Sequence, residues 1–349
     1  LQSMKNPNNF QRLFFNMVRE RVSDHEILVD VITDLLHCSR DSAYRRIRGT
    51  TDLSLNDTVV IARHFSIPLN HLIGQSDQSV VFQKGSFIRS LDDFRTYLQN
   101  SLVQLHSIKN YKSHQLIYQA KDIPIYYQFR YPRLSAFKMF VWLKSIYGVD
   151  RLDSFQYEVN MIPKDLLKLG EDLWEAYSKI NSVEIWNDTT ILSLLNQLEY
   201  YYEAGLLNSK EEAIAICDEY QDMMKLIYRQ ALRGKKAHHN NAEEFSAAEY
   251  KMYYHEILIM DNHILAELDQ NKKLYFVPYA GLNYLNTNDP LLTESMSQYL
   301  NGQKEKSSLI SNISEKERNK FFIRIKTRID QLKSKIEMTK RTFGGTSRK

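Results

Sequence analysis

Only two of the 349 residues are cysteine, Cys38 and Cys217. They stand far apart at no metal-binding or redox spacing, which excludes a disulfide framework and suits a reducing compartment. No charged-then-apolar leader opens the chain and no apolar run nears 18 residues. Neither an export signal nor a membrane span is therefore expected, and the chain reads as cytoplasmic. Seven prolines and eleven glycines are few, so the Leu-, Ile-, Glu- and Lys-rich segments are free to form helices. Charge of one sign is also missing. With 46 basic and 42 acidic residues the net charge is +4, too small to identify an anionic partner unless the charges cluster locally. Catalytic signatures are absent as well: the chain has no phosphate-cradling loop, no nucleophile elbow and no His-Glu pair at zinc spacing. The expectation is a protein that is not an enzyme, with no cofactor and no metal.

Against these absences, 22 tyrosines and 16 phenylalanines are many, and they point to aromatic cores or pockets. The hydrophobic and charged fractions, 43% and 25%, are those of a globular protein. The length allows two or three domains, because single cores stop growing at roughly 250–300 residues. The division expected is residues 1–9 disordered, with "LQSM" a scar before a native Met4, then a DNA-binding domain over 10–74 and a linker over 75–89. A large helical sensor and dimerisation domain over 90–338 and a disordered tail over 339–349 complete it.

The first of these domains reads as five short helices. "FQRLFFNMVRERV" carries Phe10, Leu13, Phe14, Met17 and Val18 at helical spacing, and "ILVDVITDLLH" repeats the pattern with Leu28, Val31, Ile32 and Leu35. A break at Cys38–Ser39 leads into "CSRDSAYRRIRG", where Arg40, Arg45, Arg46 and Arg48 crowd together. Ser39 suits the N-cap of this third helix, and Gly49 a left-handed stop. "LSLNDTVVIARHF" is a fourth helix capped by Ser54 that buries Leu55, Ile61, Ala62 and Phe65. "IPLNHLIG" adds a last turn.

A helix, a tight break and a second helix with a cationic exposed face is the layout of a helix-turn-helix, whose second helix enters the major groove of double-stranded DNA. Ala43, Tyr44 and Ile47 would face the core. Arg40, Asp41, Ser42 and Arg45 would lie outward near the helix start as candidate base contacts, Arg46 and Arg48 would serve phosphates, and the capping Ser39 is a further DNA-binding candidate. The bland alternative is a solvated helix face.

The stretch "VITDLLHCSRDSAYRRIRGTTDLSLNDTVVIARHFSIPLNHLIG" resembles the lambda-repressor-like (Cro-type) helix-turn-helix domains of bacterial and phage transcriptional regulators. The resemblance implies a base-reading third helix, with Thr50, Thr51 and Ser54 along the phosphate backbone. Two departures stand out: Arg40 replaces the family's usual glutamine, and Arg46 takes a place where that family commonly buries an aliphatic residue. The rest of the chain is similar to C-terminal regions of such regulators in Bacteroidota, a likeness that supplies no activity.

Beyond the linker the fold class expected is mainly α, a large helical domain with one small β-hairpin around "DQNKK". "PKDLLKLGEDLWEAYSKI", "DTTILSLLNQLEYYYEAGLL" and "SKEEAIAICDEYQDMMKLIYRQALRG" read as three consecutive antiparallel helices. "SVEIWNDTTILS", with Glu184, Trp186 and Asn187, reads as a capping loop or an anion site before a helix. Tyr200–Tyr202 and Trp142 read as core. His238 and His239 read as a polar loop, and His255 and His263 as structural histidines on one face of a β-like run. Near the end, Phe322, Ile325, Ile329, Leu332 and Ile336 step by three and four, an a/d seam that either pairs two copies or packs onto its own domain.

The function expected is a sequence-specific transcriptional regulator, a homodimer whose large domain senses a small molecule or peptide. The alternative is a repressor- or antitoxin-like factor whose large domain binds a protein partner.

Overall fold

The computed structural model describes residues 8–22, 25–65, 67, 69, 80–149, 156–207, 209–239, 241, 243–257 and 261–339. They fall into two units divided after Val80.

In the first unit four helices are described: α1 (Asn8–Arg19), α2 (His25–Leu36), α3 (Arg40–Arg48) and α4 (Leu55–His64). Their core is Phe14, Phe15, Val18, Leu28, Val29, Ile32, Ala43, Ile47, Ile61 and Ala62. The buried stripe of α1 is rotated from the one expected, because Phe15 is buried whereas Phe10 and Leu13 are exposed. On α4 the first residue, Leu55, is 77% exposed rather than buried. It stands one position after the cap, before the helix meets the core. Of the turn expected over 67–74 only Ile67 and Leu69 are described, and both pack on this core; the rest lies outside the described residues, as do 1–7 and 340–349.

The second unit overturns the expectation of a mainly-α domain with one small hairpin. It holds a nine-stranded mixed sheet. The order is β1 (Gln83–Lys84), β8 (Tyr284–Thr287), β7 (Lys273–Pro278), β6 (His263–Leu268), β2 (His114–Gln119), β3 (Ser182–Trp186), β5 (Phe245–Tyr254) and β4 (Lys235–Ala237). The short β9 (Ser308–Leu309) also pairs with β5. Strands β2, β3 and β5 run parallel, joined by crossovers through helices. The antiparallel β6–β7 pair is the hairpin around "DQNKK", one step in the larger sheet. β1 falls inside the 75–89 stretch read as linker and pairs with β8.

Alternation along the strands separates two faces. Leu116, Tyr118, Trp186, Tyr250 and Met252 join the large core on one face. Ile117, Val183, Leu265 and Tyr275 pack with Leu300 of α11 (Pro290–Glu305) on the other. The large core is covered by α5 (Leu91–Lys109), α6 (Ile125–Gln128), α7 (Pro132–Val141), α8 (Lys164–Tyr177), α9 (Leu192–Glu203), α10 (Lys210–Arg233) and α12 (Glu315–Met338). Helix α7 is buried all round from Leu134 to Val141, Ser135 and Lys138 included. The three helices read as consecutive are α8, α9 and α10, but β3 separates the first two.

Helix α12 settles which way its seam faces. Phe322, Ile325, Ile329, Leu332 and Ile336 are all buried in the large core, against α10 and α9. These five residues, expected as dimerisation candidates, are spent on packing within their own unit, since an apolar stripe buries itself on the nearest apolar partner.

Candidate nucleic-acid interface

The arginine-rich segment forms a helix because both ends are capped locally. Ser39 is extended (φ −70°, ψ 153°), and its Oγ accepts the Ser42 backbone N–H. Gly49 takes a left-handed φ of 77°, and the Gly49 and Thr50 backbone N–H groups donate to the Arg46 and Arg45 carbonyls. The tight break before α3 is made at His37, also left-handed at φ 47°. Ala43 and Ile47 turn inward at 0% and 2% exposure, with Tyr44 packed beside them. Burying an isoleucine holds a helix to its core by about 1.5–3 kcal/mol. Arg40, Asp41, Arg45 and Arg48 are exposed.

The arginines are not free cations. Arg40 lies 3.2 Å from Asp30 of α2, and Arg45 pairs with Asp41 one turn earlier. Arg48 has its guanidinium over the Tyr44 ring at 5.4 Å. Arg46 turns aside: its side chain is only 21% exposed, it donates to the Ser42 hydroxyl, and its Nε lies 3.6 Å from Asp57 of α4. Expected as a phosphate contact, Arg46 instead fills the half-buried place the resemblance gives to an aliphatic residue, with Asp57 neutralising it. Ser42 is drawn into the same contact.

After Gly49 the chain exposes Thr50 and Thr51. The Thr50 hydroxyl donates to the Arg45 carbonyl at 3.0 Å. Ser54 caps α4, accepting the Asp57 backbone N–H at 3.0 Å, so its hydroxyl is engaged in the fold. The residue that positions this loop is Gln11 of α1. Its Nε2 donates to the carbonyls of Arg46 (2.7 Å) and Thr51 (2.8 Å), and its Oε1 accepts the Leu53 N–H (3.0 Å). Sequence reasoning missed it, because a single glutamine on an amphipathic helix carries no signal of backbone partners some 40 residues away.

The remaining sequence candidates are scattered through the second unit. Tyr201, Tyr202 and Trp142 are core, while Tyr200 is 62% exposed. His255 directly follows β5 and His263 opens β6, two strands that are not neighbours, so they do not share one face of a run. His263 Nδ1 meets the Tyr275 hydroxyl at 2.6 Å, and burial lowers the pKa of both histidines. His239 lies 3.7 Å from Glu175, and burial again lowers its pKa. Among the described residues no group of His, Cys, Asp and Glu could hold a metal, and no helix is long and apolar enough to cross a membrane.

Glu184 is neither a cap nor an anion site. It sits in β3 at 0% exposure. Its Oε1 accepts the hydroxyls of Tyr127 (2.7 Å) and Tyr177 (2.6 Å), and its Oε2 accepts Trp186 Nε1–H (2.9 Å) and the Tyr250 hydroxyl (3.0 Å). Lys236 of β4, equally buried, approaches to 3.4 Å. Its ammonium sits 3.6 Å over the Tyr177 ring and 5.0 Å from those of Tyr127 and Tyr250. Burial lowers the lysine pKa to about 8, with Glu184 opposing the shift. Every acceptor position is filled, so this network joins β3, β4, β5, α6 and α8 and leaves no room for a ligand.

Comparison of the chain with known protein families, characterised proteins and solved structures gives no match.

Proposed function

We propose that the first unit binds double-stranded DNA sequence-specifically, with α3 in the major groove, and that the chain is a transcriptional regulator acting as a homodimer. The observation carrying this reading is the two-sidedness of α3. Ala43 and Ile47 lock one side to the core, while Arg40, Asp41 and Arg45 leave the other side at the helix start, the part of such a helix that reaches base edges. Arg40 and Arg45 are the proposed base-reading residues, since a guanidinium bonds guanine bidentately. Arg48, Thr50 and Thr51 are the proposed backbone contacts. Arg46 is withdrawn from that set because it faces Asp57.

Three of the four α3 arginines face carboxylates, so one α3 neutralises few phosphates and its non-specific affinity is modest. Two copies with their α3 helices about 34 Å apart gain the rest from a near-palindromic site. The α12 seam is already packed, so pairing uses another surface. The second unit, under this reading, responds to a small molecule or peptide.

Capture of fragmented genomic DNA from the source organism on the full chain, near physiological salt, tests the proposal. Enrichment of fragments sharing an inverted repeat is expected, and Arg40→Ala and Arg45→Ala should each cost about 1–3 kcal/mol at that site. No enrichment above background, or equal losses on every sequence, would reject base reading by α3.

A further inference from the structure

Between α5 and the β1–β8–β7–β6–β2 side of the sheet lies a cavity of about 400 Å³, within the roughly 300–1,000 Å³ of small-molecule sites. Tyr97, Ser101, Leu105 and Ile108 of α5 form its roof, spaced so that they share one helix face. Leu116, Ile264 and Phe276 form an apolar floor. Four phenols, Tyr97, Tyr118, Tyr126 and Tyr284, and the amides of Asn283 and Asn286 interrupt these walls.

The hydrogen bonding of those polar groups leaves some capacity unused. Tyr97 donates to the Leu282 carbonyl at 2.9 Å, and Asn283 Nδ2 donates to the Ala280 carbonyl at 3.3 Å. The Tyr118 and Tyr284 hydroxyls meet at 3.2 Å, where only one of the two protons is used. The Tyr126 hydroxyl has no hydrogen-bond partner among the described residues, although its ring is stacked 4.4 Å from that of Tyr177.

Charge is confined to the lining residues Lys84 and Asp93. Lys84 is exposed, and the Asp93 carboxylate is occupied by the Arg89 N–H and the Ser90 hydroxyl at 3.0 and 2.9 Å. Burial pushes all four phenols up, Tyr284 to about 12, so they remain neutral. A charged guest would lose its hydration against neutral walls with no counter-ion inside.

We propose that this cavity binds an uncharged, ring-bearing small molecule whose polar edge meets the hydroxyls of Tyr126 and Tyr284. This names the effector class for the second unit and so rests on the reading of that unit as a sensor. The rim includes Gln83 and Lys84 of β1, a two-residue strand held by its pairing with β8. That strand is the first after the stretch of sequence that joins the two units, so occupancy bears on the end of the connection.

The test is a titration of the full chain with N-phenyl-1-naphthylamine, an uncharged amine that brightens on leaving water. 8-Anilinonaphthalene-1-sulfonate, the same skeleton with a sulfonate, is the charged comparison. Saturable binding of the amine at one site per chain is expected, at least tenfold tighter than the sulfonate. Ser101→Trp and Gln104→Trp place an indole in the space and should weaken the amine at least tenfold. Gln104 is exposed on α5, so its variant is expected to keep the melting temperature of the parent even where Ser101→Trp does not. No saturable binding of the amine, a sulfonate that binds as tightly, or binding untouched by the Gln104 variant would overturn the proposal. The titration contains no DNA, so its failure leaves the genomic capture result standing, and a failed capture leaves the titration standing.

Discussion

Replacing Glu184 by glutamine removes one negative charge and almost no volume, at a fully buried position. The carboxylate accepts hydrogen bonds from three phenols and an indole, with the Lys236 ammonium a fifth donor at 3.4 Å, whereas an amide has one oxygen. If that oxygen keeps Tyr127 and Tyr177, the NH2 group faces Trp186 Nε1–H, which can only donate. If the amide flips, the oxygen keeps Trp186 and Tyr250, but the protons of Tyr127 and Tyr177 lose their acceptor. Either way a buried donor is stranded, at a cost of about 1–3 kcal/mol. Lys236 loses its salt-bridge partner too, and breaking a buried pair costs about 3–5 kcal/mol. A ceiling applies to that second loss: the lysine can give up its proton, which from its folded value of about 8 costs only about 1 kcal/mol at neutral pH. The expected loss is therefore about 2–4 kcal/mol, a large part of a typical stability of roughly 5–15 kcal/mol. All three tryptophans, Trp142, Trp174 and Trp186, belong to the second unit, so urea unfolding followed by tryptophan fluorescence reads that unit alone. Adding Lys236→Met to Glu184→Gln should recover about 1 kcal/mol by removing the orphaned amine. A loss below about 1 kcal/mol for Glu184→Gln, or a double variant as unstable as the two singles summed, would refute the account.

The same lysine sets a pH dependence. Burial lowers Lys236 and Lys138 to about 8, so above that pH the folded state sheds protons that the unfolded chain holds to about 10.5. Stability should rise from pH 8 towards 10, until the unfolded tyrosines ionise ahead of their raised folded counterparts; urea midpoints across this range should show Lys236→Met with a shallower climb, and an unchanged climb would sink the assignment. Asp41→Asn should free Arg45, raise affinity for non-specific duplex and steepen the salt slope by about one, measured by fluorescence anisotropy. Gln11→Ala removes three hydrogen bonds from the α3–α4 loop, about 1–3 kcal/mol of local stability, and should speed hydrogen exchange at the Leu53 amide, which donates to Gln11. Ile329→Ala should cost the second unit about 2–5 kcal/mol without altering its oligomeric state by sedimentation; a folded monomer from a parent dimer would return the seam to an interface.

Local signals were legible in the sequence and distant partners were not. Ser39 and Gly49 could be read as caps of α3 because a cap is fixed by residues within one turn. The α12 seam could be read as a stripe, but a period says which face is apolar, not what covers it. The sheet escaped because its central strands are short and buried on both faces: "HQLIYQ" and "SVEIW" do not alternate, as strands covered by helices on both sides do not. In β5, "FSAAEYKMYY" mixes alanine, glutamate and lysine, good helix formers, and is a strand because Ala248, Tyr250, Met252 and Tyr254 all face the core. A glutamate inside β3 runs against every strand propensity. Its stabilising partners come from four other elements of the chain, so no local pattern could announce it.

The acids that neutralise the α3 arginines also shape what such a face can discriminate. The Arg40–Asp30 and Arg45–Asp41 pairs are more than half exposed, so each is worth roughly 0–1 kcal/mol. A bidentate contact to guanine contributes about 1–3 kcal/mol. Exchanging the acid for the correct base is therefore favourable, whereas exchanging it for a screened, mobile phosphate gains little. Each acid also remains beside the arginine it released. Asp41 then either accepts from a cytosine amino group or repels the nearest phosphate, which penalises sites that offer it no donor. An α3 carrying the same arginines without Asp30 and Asp41 would hold any duplex more tightly and distinguish fewer. If α3 reads DNA as proposed, the near-neutral first unit gives up general affinity for a larger ratio between right and wrong sequences, and Asp41→Asn should lower that ratio even as it tightens binding.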